Sequence, residues 1–201
     1  MMKNKIAIST RVYLKLRSII IPFSLIEKHV PKDGTVVDIG CGFGIFAHFM
    51  SIKSKGRNVI GIELNEKRIS QANQIYGNLS NLQFICNDIT SSDIPKADTI
   101  TAIDVFHHIP SLELQINLLE SCFSVLQKNG MLIIKDVDTK PIWKYWWNKI
   151  HDYIMTKGEP VLYNDSSIMK ELIKNAGFRL EKFEMFTGQP YAHVLYVAVK
   201  P

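Results

Sequence analysis

The sequence predicts a doubly wound α/β domain with a mostly parallel sheet. Two observations carry that prediction. Short apolar runs alternate with segments of helical periodicity, and the first run ends in a glycine-rich turn that leads straight into a helix. A third is the tail, where two apolar runs joined by Thr187-Gly188-Gln189-Pro190 imply an antiparallel hairpin, because parallel neighbours need a longer crossover. The 201 residues suit a single domain, 1–201, and their 46% hydrophobic and 21% charged content can fill a layered core.

The elements follow in order. Residues 35–40 (Thr-Val-Val-Asp-Ile-Gly) read as a buried strand, and residues 45–54 place Ile45, Phe46, Phe49, Met50 and Ile52 at helical spacing. A second strand over 58–63 precedes Asn65, which can cap a helix carrying Ile69, Ala72 and Tyr76 on one side before Gly77 ends it. Residues 82–88 and 98–106 are the third and fourth strands. Ser111 can cap a long helix with Leu112, Leu119, Cys122, Phe123 and Leu126 inward; Asn129-Gly130 closes it, and 131–135 is the fifth strand. The last helix follows Asp165, with Ile168, Leu172, Ile173 and Ala176 on its core face and Gly177 at its end, before tail strands over 178–186 and 191–199.

Composition excludes several classes. Lys and Arg outnumber Asp and Glu by 24 to 19, a formal charge of +5 that ordinary solubility explains better than nucleic-acid binding, since no run of five or six basic residues is present. Cys41, Cys86 and Cys122 lie far apart without CxxC or Cys/His spacing, so neither a zinc site, nor any other metal, nor a disulfide framework is expected. Cys86 and Cys122 sit in apolar runs as small core fillers, and a reduced, cytoplasmic setting fits. The apolar stretch 19–26 is broken by Pro22, is too short to span a bilayer and lacks a cleavage signature.

Chemistry is concentrated behind the first strand. Gly40, Gly42 and Gly44 follow Asp38 where the chain must turn sharply, and bare backbone there lets a ligand approach the crevice of such a sheet. Glu63, ending the second strand, can accept two hydrogen bonds from a ribose diol. Asp88, ending the third, can accept from an exocyclic adenine amine, although Asn87-Asp88 is also ordinary turn chemistry.

These residues carry a resemblance. Val36-Val-Asp-Ile-Gly-Cys-Gly-Phe-Gly44, Gly61-Ile-Glu63, Asn87-Asp88, Ala102-Ile-Asp-Val-Phe-His-His-Ile109 and Leu126-Gln-Lys-Asn-Gly-Met-Leu-Ile-Ile134 resemble, in order, the motifs of class I S-adenosylmethionine-dependent methyltransferases of the small-molecule type, over residues 30–136. The resemblance implies a Rossmann-like, seven-stranded sheet with its last strand antiparallel, and S-adenosyl-L-methionine as cofactor. It also implies that Gly40, Gly42 and Gly44 wrap the methionine portion, that Asp38 shapes the loop and helps hold the ammonium group, that Glu63 binds the ribose and Asp88 the adenine amine, and that Asp104 faces the methionine end. A nicotinamide dinucleotide site ranks below this, because the sixth position of its glycine fingerprint is Ile45 here.

Methyl transfer needs an in-line acceptor and, for a hydroxyl, a base. His107 and His108 at the mouth of the fourth strand suit proton removal near neutral pH, and packing beneath the loop explains them equally well. Asp136 is a substrate-side candidate. The Asn/Asp-Pro-Pro-aromatic signature of nucleobase-amine methylation is absent from Asp104-Val-Phe-His. All three tryptophans fall in an aromatic-rich insertion over 138–163, where Trp143, Trp147, Ile150 and Ile154 recur at helical spacing with Lys144, Asn148 and Lys149 on the other side. That segment can roof an apolar pocket, pack as an added helix, or dock on a membrane surface, with a helical arm over 1–30 (Arg11, Lys15, Arg17) assisting. The favoured function is methyl transfer to O or C of a small apolar or aromatic acceptor, a lipid-linked one among the candidates. A non-catalytic cofactor-binding protein and an RNA or protein methyltransferase are the alternatives.

Overall fold

The alternating runs form seven strands: β1 (Asp33–Ile39), β2 (Gly56–Glu63), β3 (Leu82–Cys86), β4 (Ala97–Ile103), β5 (Leu126–Val137), β6 (Arg179–Met185) and β7 (His193–Val199). The computed structural model describes residues 21–90, 94–155, 161–186 and 191–201. Residues 1–20 of the expected arm over 1–30, residues 156–160 of the insertion and the hairpin link 187–190 lie outside the described residues. The strands pair in the order β3-β2-β1-β4-β5-β7-β6. Every pair from β3 to β5 is parallel, and β7 runs antiparallel to both its neighbours, as the tail hairpin implies.

Helices α1 (Phe23–Glu27), α2 (Ile45–Lys53), α3 (Glu66–Tyr76), α4 (Leu112–Val125), α5 (Ile142–Met155) and α6 (Ser166–Asn175) connect them. Successive strand residues face opposite ways, so Val36 joins one core and Val37 the other. The first core seats Phe23, Ile26, Phe46, Met50 and Ala72 from α1–α3; the second seats Leu118, Leu119, Cys122, Leu172 and Ile173 from α4 and α6. With both faces covered, the strands bury apolar side chains on each side, among them Val36, Val37, Val59, Ile62 and Ile100. Asn65, Ser111 and Asp165 cap α3, α4 and α6 through their side-chain oxygens. No helix among the described residues is long and apolar enough to cross a membrane.

The differences from expectation are local. β4 stops at Ile103 because Asp104 turns left-handed (φ 58°), and Phe106–His108 coil into a 3₁₀ turn. α4 ends at Val125 and Leu126 already pairs as strand. Cys86 is exposed rather than a core filler, while Cys122 is buried. Ile52, Leu112 and Ile168 are exposed at the margins of their helices.

One buried cation ties the amino ends of the strands together. Arg57 of β2 has 1% of its surface exposed. Its Nε donates to the Pro31 carbonyl (2.6 Å), Nη1 to Met50 (3.1 Å), and Nη2 to Val30 (2.7 Å) and to Glu27 Oε1 (2.7 Å). Burial pushes the Glu27 carboxyl up, but Lys32 and Arg57 together hold it below the usual range. Without Arg57, Glu27 would keep only the exposed Lys32, and the carbonyls of Val30, Pro31 and Met50 would lose this donor. Arg57→Met is therefore expected to lower the unfolding free energy by about 3–5 kcal/mol in a urea titration, and an unchanged midpoint would show the clamp to be dispensable.

Candidate active site

The strand order reverses between β1 and β4, so the loops leaving their carboxyl ends diverge and open a crevice. Behind β1, Gly40, Gly42 and Gly44 all take positive φ (65°, 58° and 75°), which side chains resist. They differ in what they face. A Cβ on Gly40 would come within 2.6 Å of Val105 Cγ2, and one on Gly44 within 2.4 Å of the Phe84 ring. On Gly42 it would meet nothing closer than Glu63 Oε2 at 4.0 Å. Gly40 and Gly44 thus serve close packing, and Gly42 leaves the open lip.

Glu63 turns into that lip. Its Oε2 accepts the Gly42 N–H at 3.0 Å and its Oε1 the Asn65 N–H at 3.0 Å, with Arg68 Nη1 3.5 Å from Oε2. A carboxylate has about four acceptor positions, so capacity remains for a diol. Asp38 is buried in β1 and accepts from the Thr101 hydroxyl at 2.6 Å. Asp88 closes a turn, its Oδ1 accepting the Thr90 N–H (2.9 Å) and hydroxyl (2.7 Å), which is the turn role weighed against adenine binding. Asp104 pairs with the ammonium of Lys135, a fully buried side chain on β5. Lys135 is not singled out by sequence reasoning, yet a signal exists: it shares a strand face with the apolar Met131, Ile133 and Val137. Bare backbone at Gly42, a carboxylate beside it and further acids around it fit a cationic sulfonium nucleoside.

The two histidines separate. His107 is buried and its Nδ1–H donates to Asp136 Oδ1, since a carboxylate can only accept; its backbone N–H reaches Asp136 Oδ2 at 3.3 Å. Its Nε2 lies 3.8 Å from Asp152 Oδ2 of α5, and its ring stacks on Tyr163 at 5.6 Å, whose hydroxyl donates to Asp152. Burial alone lowers the imidazole pKa, but Asp136, with Asp104 and Asp152, raises it overall above the ordinary value. His108 is exposed at the surface, and the protein packed along one side of its ring, with neighbouring His107, holds its pKa below the ordinary value. Gln115 of α4 braces this turn by donating to the Phe106 carbonyl (2.9 Å), and the Leu162 N–H donates to His107 O (2.8 Å).

Three expectations need correction. Asp136, expected on the substrate side, is buried against His107, which meets both its oxygens, while the Val137 N–H reaches Oδ1 (2.8 Å), so its carboxylate faces the imidazole. Trp143 and Trp147 do not roof the pocket: they are 60% and 52% exposed, on the opposite side of α5 from Asp152. Asn148, expected on the outer side, is buried, and neither its amide oxygen nor its nitrogen has a hydrogen-bond partner among the described residues. The cause is what α5 lies against. Its inner side meets the polar His107–Asp136–Tyr163 cluster instead of an apolar core.

A family model described as a methyltransferase domain matches residues 11–182. The chain is 29% identical over 115 residues to (S)-coclaurine N-methyltransferase of Thalictrum flavum subsp. glaucum, covering 55% of this chain and 31% of that protein. It is 25% identical over 114 residues to a ubiquinone biosynthesis O-methyltransferase of Nitrosomonas europaea, covering 55% of this chain and 46% of that one. The matched region thus spans less than half the length of these curated relatives. Among solved structures, the fold matches magnesium protoporphyrin IX methyltransferase of Synechocystis PCC 6803 with bound SAH at a TM-score of 0.70 and 18% identity, over 98% of this chain and 90% of that one. The match of the family model along most of the chain, on a sheet of this order, places the chain in the methyltransferase-domain family, in its class I, S-adenosylmethionine-dependent form.

Proposed function

We propose that the chain methylates a small apolar or aromatic acceptor at oxygen or carbon, with His107 as the base. The observation that carries this reading is the His107–Asp136 pair, brought together by the adjacent strands β4 and β5 at the carboxyl edge of the sheet, the edge at which the glycine turn leaves β1. When bound, the cofactor supplies a methyl group on a cationic sulfur.

Gly42 and Glu63 would hold its sugar, Asp88 its base, and Asp38 and Asp104 the methionine end. Lys135 offsets one of those charges, so the crevice is not overloaded with carboxylates. Asp136 fixes the His107 tautomer with its proton on Nδ1, which leaves the Nε2 lone pair to take the proton that the acceptor gives up as it gains the methyl group. Asp152, close to Nε2, then stabilises the imidazolium. Asn148, one turn before Asp152 on the same side of α5, offers the acceptor a donor and an oxygen not otherwise engaged. Relatives named for coclaurine and magnesium protoporphyrin IX favour a small molecule over RNA or protein.

Glu63→Ala is expected to weaken S-adenosylhomocysteine binding by more than about 1 kcal/mol in calorimetry, and undiminished affinity would remove Glu63 from the ribose site. A base must be unprotonated to act, and His107 is raised above the ordinary value of about 6.5, so turnover should climb with pH through an inflection above that value. Asp136→Asn removes the strongest attraction that raises it and leaves burial opposed only by Asp104 and Asp152, so the inflection should move to lower pH, with kcat reduced about 10²–10⁴-fold through loss of the tautomer. His108→Ala should leave the profile in place. An inflection that ignores Asp136→Asn would sink the base assignment.

A further inference from the structure

The outward side of α5 is apolar where a helix on the surface of a globular domain is ordinarily polar. Ile142, Trp143, Trp146, Trp147, Ile150 and Ile154 are each more than half exposed, and the helical turn angle gathers them into one arc of about 140°. Lys149 and Lys144 border that arc on its two edges, their ammonium groups 5.3 Å from the Trp146 ring and 5.5 Å from the Trp143 ring, so their stems run along aromatic surface. The single carboxylate of the helix, Asp152, is turned inward to Tyr163 and His107. The face therefore has an apolar centre, a cationic border and no acid. The sequence adds to this charge: residues 1–20 contain five Lys and Arg and no Asp or Glu.

We propose that this face docks on an anionic phospholipid surface, the indoles and isoleucines lying at the boundary of headgroups and acyl chains and the lysines at the phosphates. The charge pattern argues for this occupant. Pairing of two copies through the same arc would bring lysine borders together with no carboxylate on either face to receive them. The proposal stands on the exposed face and does not depend on the reaction proposed above, although the inner side of the same helix reaches His107 and would set the site beside the lipid.

All three tryptophans of the chain lie on this helix, so their emission reports this surface alone. Full-length protein is mixed with vesicles of phosphatidylcholine containing phosphatidylglycerol, and in parallel with phosphatidylcholine alone. The mixed vesicles should shift the emission to the blue and carry the protein in flotation, with partitioning about tenfold weaker on the neutral vesicles and falling with added salt. W143S/W147S/I150S and, separately, K144E/K149E should each cost about tenfold in partitioning, with Trp146 retained as reporter and S-adenosylhomocysteine binding unchanged as the check on folding. Unmoved emission without flotation overturns the proposal. So does emission already blue-shifted without vesicles, whether light scattering finds a dimer (the face is covered by a second copy) or a monomer (it is covered by the chain itself).

Discussion

The mouth of the crevice depends on two places where a side chain cannot be. Val105 fills the space beside Gly40 and Phe84 the space beside Gly44, so the ends of β4 and β3 close down on the turn that leaves β1. A methyl group at either glycine would push these elements apart and would also resist the left-handed backbone the turn requires. With the turn fixed on both sides, Gly42 is held out bare between them and its N–H is aimed at Glu63. The three glycines look alike in the sequence, but two belong to packing and one to the lip.

Buried charge is divided between the two ends of the sheet. At the amino ends, Arg57 and Glu27 lock α1 and the turns around it, with all three guanidinium nitrogens donating to carbonyls or carboxylate. At the carboxyl ends, Lys135 with Asp104 and His107 with Asp136 stand around the crevice. Ion pairs out of water contribute little net stability but cost much when broken, so the first set guards the fold, while the second stands at the edge of the sheet where the glycine turn opens.

Much of this was legible in the sequence where the physics is local. Caps at Asn65, Ser111 and Asp165, the glycine turn and the tail hairpin each follow from a few adjacent residues, and together they specify the sheet. What local pattern cannot give is the identity of the neighbour. Periodicity showed α5 to be two-sided, and the ordinary preference for apolar sides inward put Trp143 and Trp147 over the pocket; the polar surface beneath the helix reverses the choice and brings Asn148 and Asp152 inside. Asp136 and His107, far apart in the chain, likewise meet only because β4 and β5 are adjacent in the sheet. Nothing adjacent to Arg57 in the sequence foretells the carbonyls of Pro31, Val30 and Met50 that surround it.

The position of β7 has a consequence for the birth of the protein. It lies between β5 and β6, nearly all of it buried, and bonds to both. As the chain leaves the ribosome, β5 emerges with one edge unsatisfied and must wait while α5, α6 and β6 are made before its partner arrives. During that interval the nascent half-sheet offers a long apolar edge to any passing strand, which is where a holding chaperone or slow translation would matter most.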